Sequence, residues 1–475
     1  MERLEIGKEE PKEVIKFFKE ISDIPRESGN EEGIRDYLVN FAKERSLEYY
    51  TDEYFNVIIR KPASAGYEEK PYLSFQGHTD MICEKEDWSN HNFEKDSIEL
   101  IKDGDFIKAN GTTLGADNGI GVAVMLAILD AKDLKGPKIE CIFTVQEETT
   151  MIGAKLIDVN QIKSKRIISL DNGKEGKMVI SSANCMEWYG KVNKEYIELD
   201  GAKTYELEFS NFMGGHSGGN IADVKRGNPI KIGMEILSKF DDIYLNKISG
   251  GSRVNVIPRD FKVEFSYAGS KDIESSIDDE IAKQKDFYGN NVKISLKEIE
   301  SEKKAFSKDM TMKIINFINA YENGALKFDE NNNVMLSANF GAINEFEDYV
   351  RLEYSLRSNN MSYRASYLEN LEKQVKENDI EIVWEQELKG FEPDYTSNLV
   401  CMTSKVYKEL FGKEIEKIIV QGVVEGGFFK DRMENVEYIC IGANTFDVHS
   451  PKERVSISSL ERTWRLIKNI IEFED

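Results

Sequence analysis

The 475-residue sequence is poor in cysteine, with Cys83, Cys141, Cys185, Cys401 and Cys440 an odd set that contains no Cys-x-x-Cys pair. So few thiols in so long a chain exclude a disulfide framework and predict reduced, mostly buried side chains. Long apolar runs are missing too: nothing approaches the ~18 consecutive residues of a membrane-spanning helix. The opening segment MERLEIGKEEPKEVIKFFKE is charged throughout, where a secretory signal would carry about 7–15 apolar residues. The expectation is a cytoplasmic protein with no membrane contact. Basic charge is also short, with 63 Lys and Arg against 86 Asp and Glu and a formal charge of −23. The acidic surplus is spread along the sequence and excludes a generic nucleic-acid binder, whose surface must be basic. What is present is 40% hydrophobic residues, enough for the cores of two or three domains at ~150 residues each.

Two amphipathic helices open the chain, with apolar positions Val14, Ile15, Phe18 and Ile21, then Ile34, Tyr37, Leu38 and Phe41. Strand-length apolar runs follow at Tyr72–Phe75, Ile139–Val145 and Ile167–Leu170, and the run Ile120–Leu129 reads as a buried helix. Strands alternating with helices predict an α/β domain with a largely parallel sheet. Near Cys185 the texture changes to alternating segments such as Thr204–Ser210 and Phe261–Tyr267, with helices near Ile230–Phe240 and Ile273–Lys285. The α/β texture returns after Asp394 with a helix around Leu399–Leu410, strands at Ile418–Val420 and Val436–Ile441, and a last helix. Ser458 and Glu461 suggest a capping box for that helix, which carries Leu460, Trp464, Ile467 and Ile471 on one face. The simplest architecture is a catalytic domain of residues 1–184 and 395–475, interrupted by an inserted α+β domain of residues 185–394.

Histidine is the scarcest chemical resource, with four in the chain. His91 lies in a polar stretch and reads as a surface residue. His78 follows an apolar strand in Gln-Gly-His-Thr-Asp, and Asp80, two residues on, can orient the imidazole or simply make a strand-end turn. Asp117 precedes the apolar helix, where it suits an N-cap but also leaves a carboxylate at the edge of a core. Glu147 and Glu148 end one strand and Asp171 another, and adjacent carboxylates at a buried strand end repel unless a cation or proton separates their roles. His78, Asp117, the two glutamates and Asp171 therefore all fall at strand C-ends or in the following loops, the edge where α/β sheets bind ligands. Imidazole and carboxylate donors without thiolate suit zinc, with manganese or cobalt as alternatives. Two zinc ions would outweigh Asp117, Glu148 and Asp171 in charge, favouring a bound hydroxide fit for amide hydrolysis.

The segments Gly77–Asp80, Thr113–Gly121, Gln146–Glu148, Asp171, Gly214–Gly219, Asn255–Arg259 and His449–Pro451 occur in an order that spans nearly the whole chain. Together they resemble the aminoacyl-histidine dipeptidase (Xaa-His dipeptidase) branch of the di-zinc peptidase and aminoacylase superfamily. The resemblance implies a zinc-peptidase-like catalytic domain with a mostly parallel mixed sheet, and an insert acting as a lid and dimerisation domain. It implies two zinc ions per chain, with Asp117 bridging, His78 and Asp171 on one ion, and Glu148 and His449 on the other. Glu147 would be the general base and Asp80 the partner of His78. His216 would stabilise the oxyanion, from the same chain or the partner subunit of a homodimer. Asn255, Arg357 and Gly426 would contact a small peptide substrate.

The chain departs from that family at Gln421–Gly427, where relatives often read His-Ala-Gly-Leu-Glu-Cys-Gly, a difference that touches side-chain selectivity rather than hydrolysis. A tripeptidase, carboxypeptidase or N-acyl amino acid hydrolase would use the same site. A non-catalytic metal- or peptide-binding homologue is the reading from another class, and a complete ligand set with Glu147 argues against it, because binding needs no base. Neither glycine-rich segment matches GxGxxG or a phosphate-binding Gly-Lys-Ser/Thr ending.

Overall fold

The computed structural model describes residues 2–3, 8–289, 291–300 and 303–473. The chain forms two compact units, one from Met1–Ser181, Pro393–Ile419 and Val424–Asp475, the other from Ser182–Glu392 with Val420–Val423.

The first unit is α/β. Its eight-stranded sheet runs in the order Glu48–Thr51, Val57–Lys61, Ile139–Thr144, Leu73–His78, Arg166–Ser169, Glu437–Cys440, Lys177–Ser182, Glu416–Val420. Its four central strands, Ile139–Thr144 to Glu437–Cys440, are mutually parallel. Val57–Lys61 on one flank and Lys177–Ser182 on the other run antiparallel to their inner neighbours. The central strands are buried on both faces, which is why they read as unbroken apolar runs. Helix Ala116–Asp130 is apolar all round, and Ile120–Leu129 is buried without a gap. Helix Lys12–Ser22 packs against it through a stripe that includes Val14, Phe18 and Ile21.

The closing helix, Ile457–Glu472, is capped differently from the sequence pattern. Ser456 Oγ accepts the Ser459 amide at 3.2 Å, while Ser458 donates its hydroxyl and amide to Asp105 at 2.8 and 2.9 Å. A distant carboxylate thus takes over the serine that a local capping box would use.

The second unit is α+β, built on a nine-stranded sheet. Its ladders, from Lys203–Ser210 paired with Phe261–Tyr267 to Asn184–Asn193 paired with Glu381–Leu388, are antiparallel. Helices Pro229–Leu237, Ile273–Tyr288 and Lys308–Ala320 supply buried residues to its core, where Trp188 packs on Phe317 and Tyr354. All five cysteines are free, with Cys141, Cys185 and Cys440 buried, Cys83 half-buried and Cys401 exposed. Among the described residues no helix is long and apolar enough to cross a membrane.

Candidate metal centre

Parallel strands deliver their C-ends to one edge of the sheet, and the chemistry-bearing residues of the first unit lie along it. His78 is the last residue of Leu73–His78. Glu147 and Glu148 follow Ile139–Thr144 after a turn in which Gln146 has φ +52°. Asp171 stands two residues beyond Arg166–Ser169.

Asp117 is not the N-cap that its position suggests. Gly115, at φ +66°, opens the helix, and the Glu453 carboxylate accepts the amides of Leu114, Gly115, Ala116 and Asp117 at 2.8, 2.9, 2.8 and 3.2 Å. Asp117 itself has non-helical backbone and makes no capping bond, and its side chain faces two imidazoles. His78 Nε2 lies 3.3 Å from its Oδ1, and His449 Nε2 lies 3.5 Å from its Oδ2. His78 Nε2 is also 3.7 Å from Asp171 Oδ1, and His449 Nε2 is 2.9 Å from Glu148 Oε1. Donor atoms of His78, Asp117 and Glu148 lie within 4.8 Å of one another, a separation a metal ion can span.

Asp80 organises this cluster from behind. Its carboxylate is 3.4 Å from His78 Nδ1 and accepts the Ser28 hydroxyl at 2.7 Å. The same carboxylate accepts the amides of Glu147 and Glu148 at 3.1 and 3.2 Å, fixing the turn that carries both glutamates. With Nδ1 beside Asp80, Nε2 is the ring nitrogen that faces Asp117.

The electrostatics follow from crowding. Burial, together with Glu425, Glu148 and Asp117 nearby, outweighs His78 and pushes Glu147 up to about 8. Burial and the adjacent Asp117 likewise hold Asp171 well above the ordinary aspartate range. Burial alone would raise Asp117, but its bonds to His449 and His78 hold it far below. Its bonds to Asp117 and Glu148 push His449 up to about 10. Burial opposes a charged His78, yet Asp117 and Asp80 on either side of the ring raise it well above its usual value. Carboxylates crowded this closely around two imidazoles form a charge balance that a divalent cation would relieve. Tetrahedral zinc with bonds of about 2.1 Å would set its donors about 3.4 Å apart; the His78–Asp117 and His449–Asp117 separations of 3.3 and 3.5 Å lie at that spacing, with His78–Asp171 wider at 3.7 Å and His449–Glu148 closer at 2.9 Å. The donor set fits divalent metal.

Gly426 opens the short helix Gly426–Arg432, and a Cβ there would meet the Tyr438 ring at 2.2 Å. The remaining residues singled out from the sequence belong to the second unit and gather around Ser217. Its amide donates to the Asn255 carbonyl at 3.0 Å, and its hydroxyl accepts from Arg357 Nε at 3.4 Å. His216 Nδ1 accepts the amides of Gly218 and Gly219 at 3.1 and 3.3 Å, so the ring proton sits on Nε2. Burial and the nearby Arg357 charge lower the His216 pKa, keeping this ring neutral with an N–H to donate.

The structure adds residues the sequence did not reveal. Glu453 is one; its only sequence signal is its place four residues after His449. Glu425 is another, a fully buried carboxylate that accepts from Gln76 Nε2 at 2.5 Å and Thr144 Oγ1 at 2.7 Å and is pushed up to about 7, burial being the main cause.

Imidazoles and carboxylates converging at the parallel strand ends of an α/β sheet make a site suited to metal-assisted hydrolysis. The sequence pattern of Peptidase family M20/M25/M40 matches residues 74–472, and the chain belongs to that family. It is similar to the cytosol non-specific dipeptidase of Escherichia coli (strain K12), 29% identical over 98% of this chain and 99% of that protein. The crystal structure of an aminoacylhistidine dipeptidase from Vibrio alginolyticus superposes with a TM-score of 0.88 at 27% identity, covering 99% of this chain and 98% of that one. An M20 family metallo-carboxypeptidase from Sulfolobus solfataricus shares the fold at a TM-score of 0.53 and 14% identity, over 97% and 98% of the two chains.

Proposed function

We propose that this protein is a cytoplasmic, metal-dependent dipeptidase that accepts Xaa-His and other dipeptides, and that it works as a homodimer. The observation that carries the reading is Asp117, whose two oxygens face two different imidazoles, the arrangement a carboxylate shared by two metals requires. The resident metals of this reading are two zinc ions per chain, with manganese or cobalt as substitutes. His78 and Asp171 would hold one, Glu148 and His449 the other, and Asp117 both. Bound there, they would polarise the scissile carbonyl and lower the pKa of water towards ~7.

The chain's own residues do the rest. Glu147 takes a proton from the water oxygen that attacks the carbonyl carbon, then delivers it to the amide nitrogen as the C–N bond breaks. Its place next to Glu148, on the turn that Asp80 holds at the strand end, puts a carboxylate beside the ligands where a proton can be taken and returned. Asp80 keeps the His78 ring and the Glu147–Glu148 turn in place. His216 donates its Nε2 proton to the oxyanion, and Asn255, Arg357 and Gly426 bind the peptide backbone and its terminal carboxylate. On this reading residues 185–394 form a lid and dimerisation domain inserted into the catalytic domain of residues 1–184 and 395–475.

A panel of dipeptides, tripeptides and N-acyl amino acids, assayed with chelator and after zinc, manganese or cobalt is restored, tests the proposal. Turnover is expected on dipeptides and only with metal. Preference for tripeptides or acyl amino acids, or metal binding without turnover on any substrate, would contradict it.

A further inference from the structure

A guanidinium and a carboxylate, each only 2% exposed, lie among the segments that carry the candidate ligands, and no step of the proposed reaction uses them. Arg26 Nη1 donates to the carbonyls of Thr79 and Asp80 at 3.0 and 3.3 Å, and its Nη2 donates to the carbonyl of Gly115 at 2.6 Å. Glu453 accepts the four successive amides Leu114 to Asp117. The turn that presents Asp117 is therefore gripped through its carbonyl by one side chain and through its amides by the other.

Each grip reaches a second ligand-bearing segment. Arg26 ties the turn to His78-Thr79-Asp80, and its own carbonyl accepts the Met81 amide at 3.0 Å. Glu453 belongs to the loop of His449, and its amide donates to the Ser450 carbonyl at 3.0 Å. His449 sits at φ +61°, a left-handed conformation unfavourable for a non-glycine residue that its surroundings must enforce. The glycine pattern of the Asp117 segment has the same origin. A Cβ on Gly115 or Gly119 would come within 2.4 or 2.6 Å of Arg26 Nη2, so these glycines leave the space the guanidinium occupies.

We propose that Arg26 and Glu453 are positioning residues of the metal centre, which together set the spacing of His78, Asp117 and His449 and thereby its affinity for metal. The inference rests on reading the cluster as a metal site. Groups that orient ligands in this way typically change affinity by about 10–100-fold when altered. A merely structural pair would change stability instead, and the chain offers a comparison. Arg60 Nε donates to the buried Glu140 at 2.9 Å, and Glu140 is the second residue of Ile139–Thr144, at the opposite end of the strand from the site.

The experiment measures Co2+ binding to metal-free protein by chelator competition and by the visible spectrum, alongside melting temperature, for the parent, Glu453→Gln, Arg26→Lys and Glu140→Gln. Glu453→Gln turns acceptors towards donors, and Arg26→Lys keeps the charge but loses the fork. Both should bind Co2+ about 10–100-fold more weakly with an altered spectrum. Glu140→Gln should melt lower and bind Co2+ as the parent does. If one positioning variant fails to fold, the other decides. Parent-like Co2+ affinity and spectrum in a folded variant, or a loss no larger than that of Glu140→Gln, would overturn the proposal. A parent that binds no Co2+ overturns the metal reading and, with it, this inference.

Discussion

Removing metal should make the protein's stability fall as pH rises, and the structure sets the size of the effect. In the metal-free cluster Glu147 lies at about 8, against 4.5 for an ordinary glutamate. Between those values the folded chain holds a proton that the unfolded chain has released, so stability drops by about 1.4 kcal/mol per pH unit. From pH 5 to pH 7 the loss is on the order of 3 kcal/mol. Asp171, also raised, adds to it with the same sign. His449, raised to about 10 from 6.5, stabilises the fold fully below pH 6.5 and loses that contribution as pH climbs through about 10, again in the same direction. Divalent metals bind deprotonated carboxylates and neutral imidazoles, so their stabilising effect grows over the same range. The melting temperature with zinc minus that with chelator should therefore widen by on the order of 6–12 °C between pH 5 and pH 7, at about 2–4 °C per kcal/mol. Thermal melts at each pH with zinc or chelator measure it directly. A difference that stays constant or narrows as pH rises would refute the reasoning.

Glu147→Gln should retain both metals and lose about 10²–10⁴-fold in kcat, whereas Glu148→Ala should lose metal affinity; metal analysis with kinetics separates them, and the reverse pattern would exchange their roles. His216→Ala should bind metals normally with KM little changed while kcat falls by about 10²–10³-fold, and near-normal kcat would remove it from oxyanion stabilisation. Gly426→Ala forces a methyl into the Tyr438 ring and should cost about 1–3 kcal/mol, read as a lower melting temperature; an unchanged one would show that the ring moves aside.

The residues legible in the sequence are those whose neighbours announce them. His78, Glu147, Glu148 and Asp171 stand directly after apolar strand runs, and His216 and Asp117 stand among glycines. The parallel centre of the sheet was legible because its strands alternate with helices, and the mixed character only through the family resemblance, since an apolar run by itself carries no direction. Asp117 suited both an N-cap and a ligand in the sequence, and the carboxylate that holds its segment, Glu453, lies 336 residues further along the chain. Ser458 read as a cap because Asp105, which takes its hydroxyl, is 353 residues away. Arg26 left no trace at all: a single arginine after a proline looks like any turn residue until its three carbonyl partners are assembled around it. Local patterns report the strand ends and loops that present a site, and long-range polar contacts decide what holds it.

The most direct test of the central claim is a titration of zinc into metal-free protein while hydrolysis of an Xaa-His dipeptide is followed, with Asp117→Ala beside it. The account predicts no turnover without metal, a rise to a plateau at two zinc ions per chain, and little recovery at any ratio in Asp117→Ala. Full activity at one equivalent, full recovery in Asp117→Ala, or no dipeptide hydrolysis at saturation would contradict it.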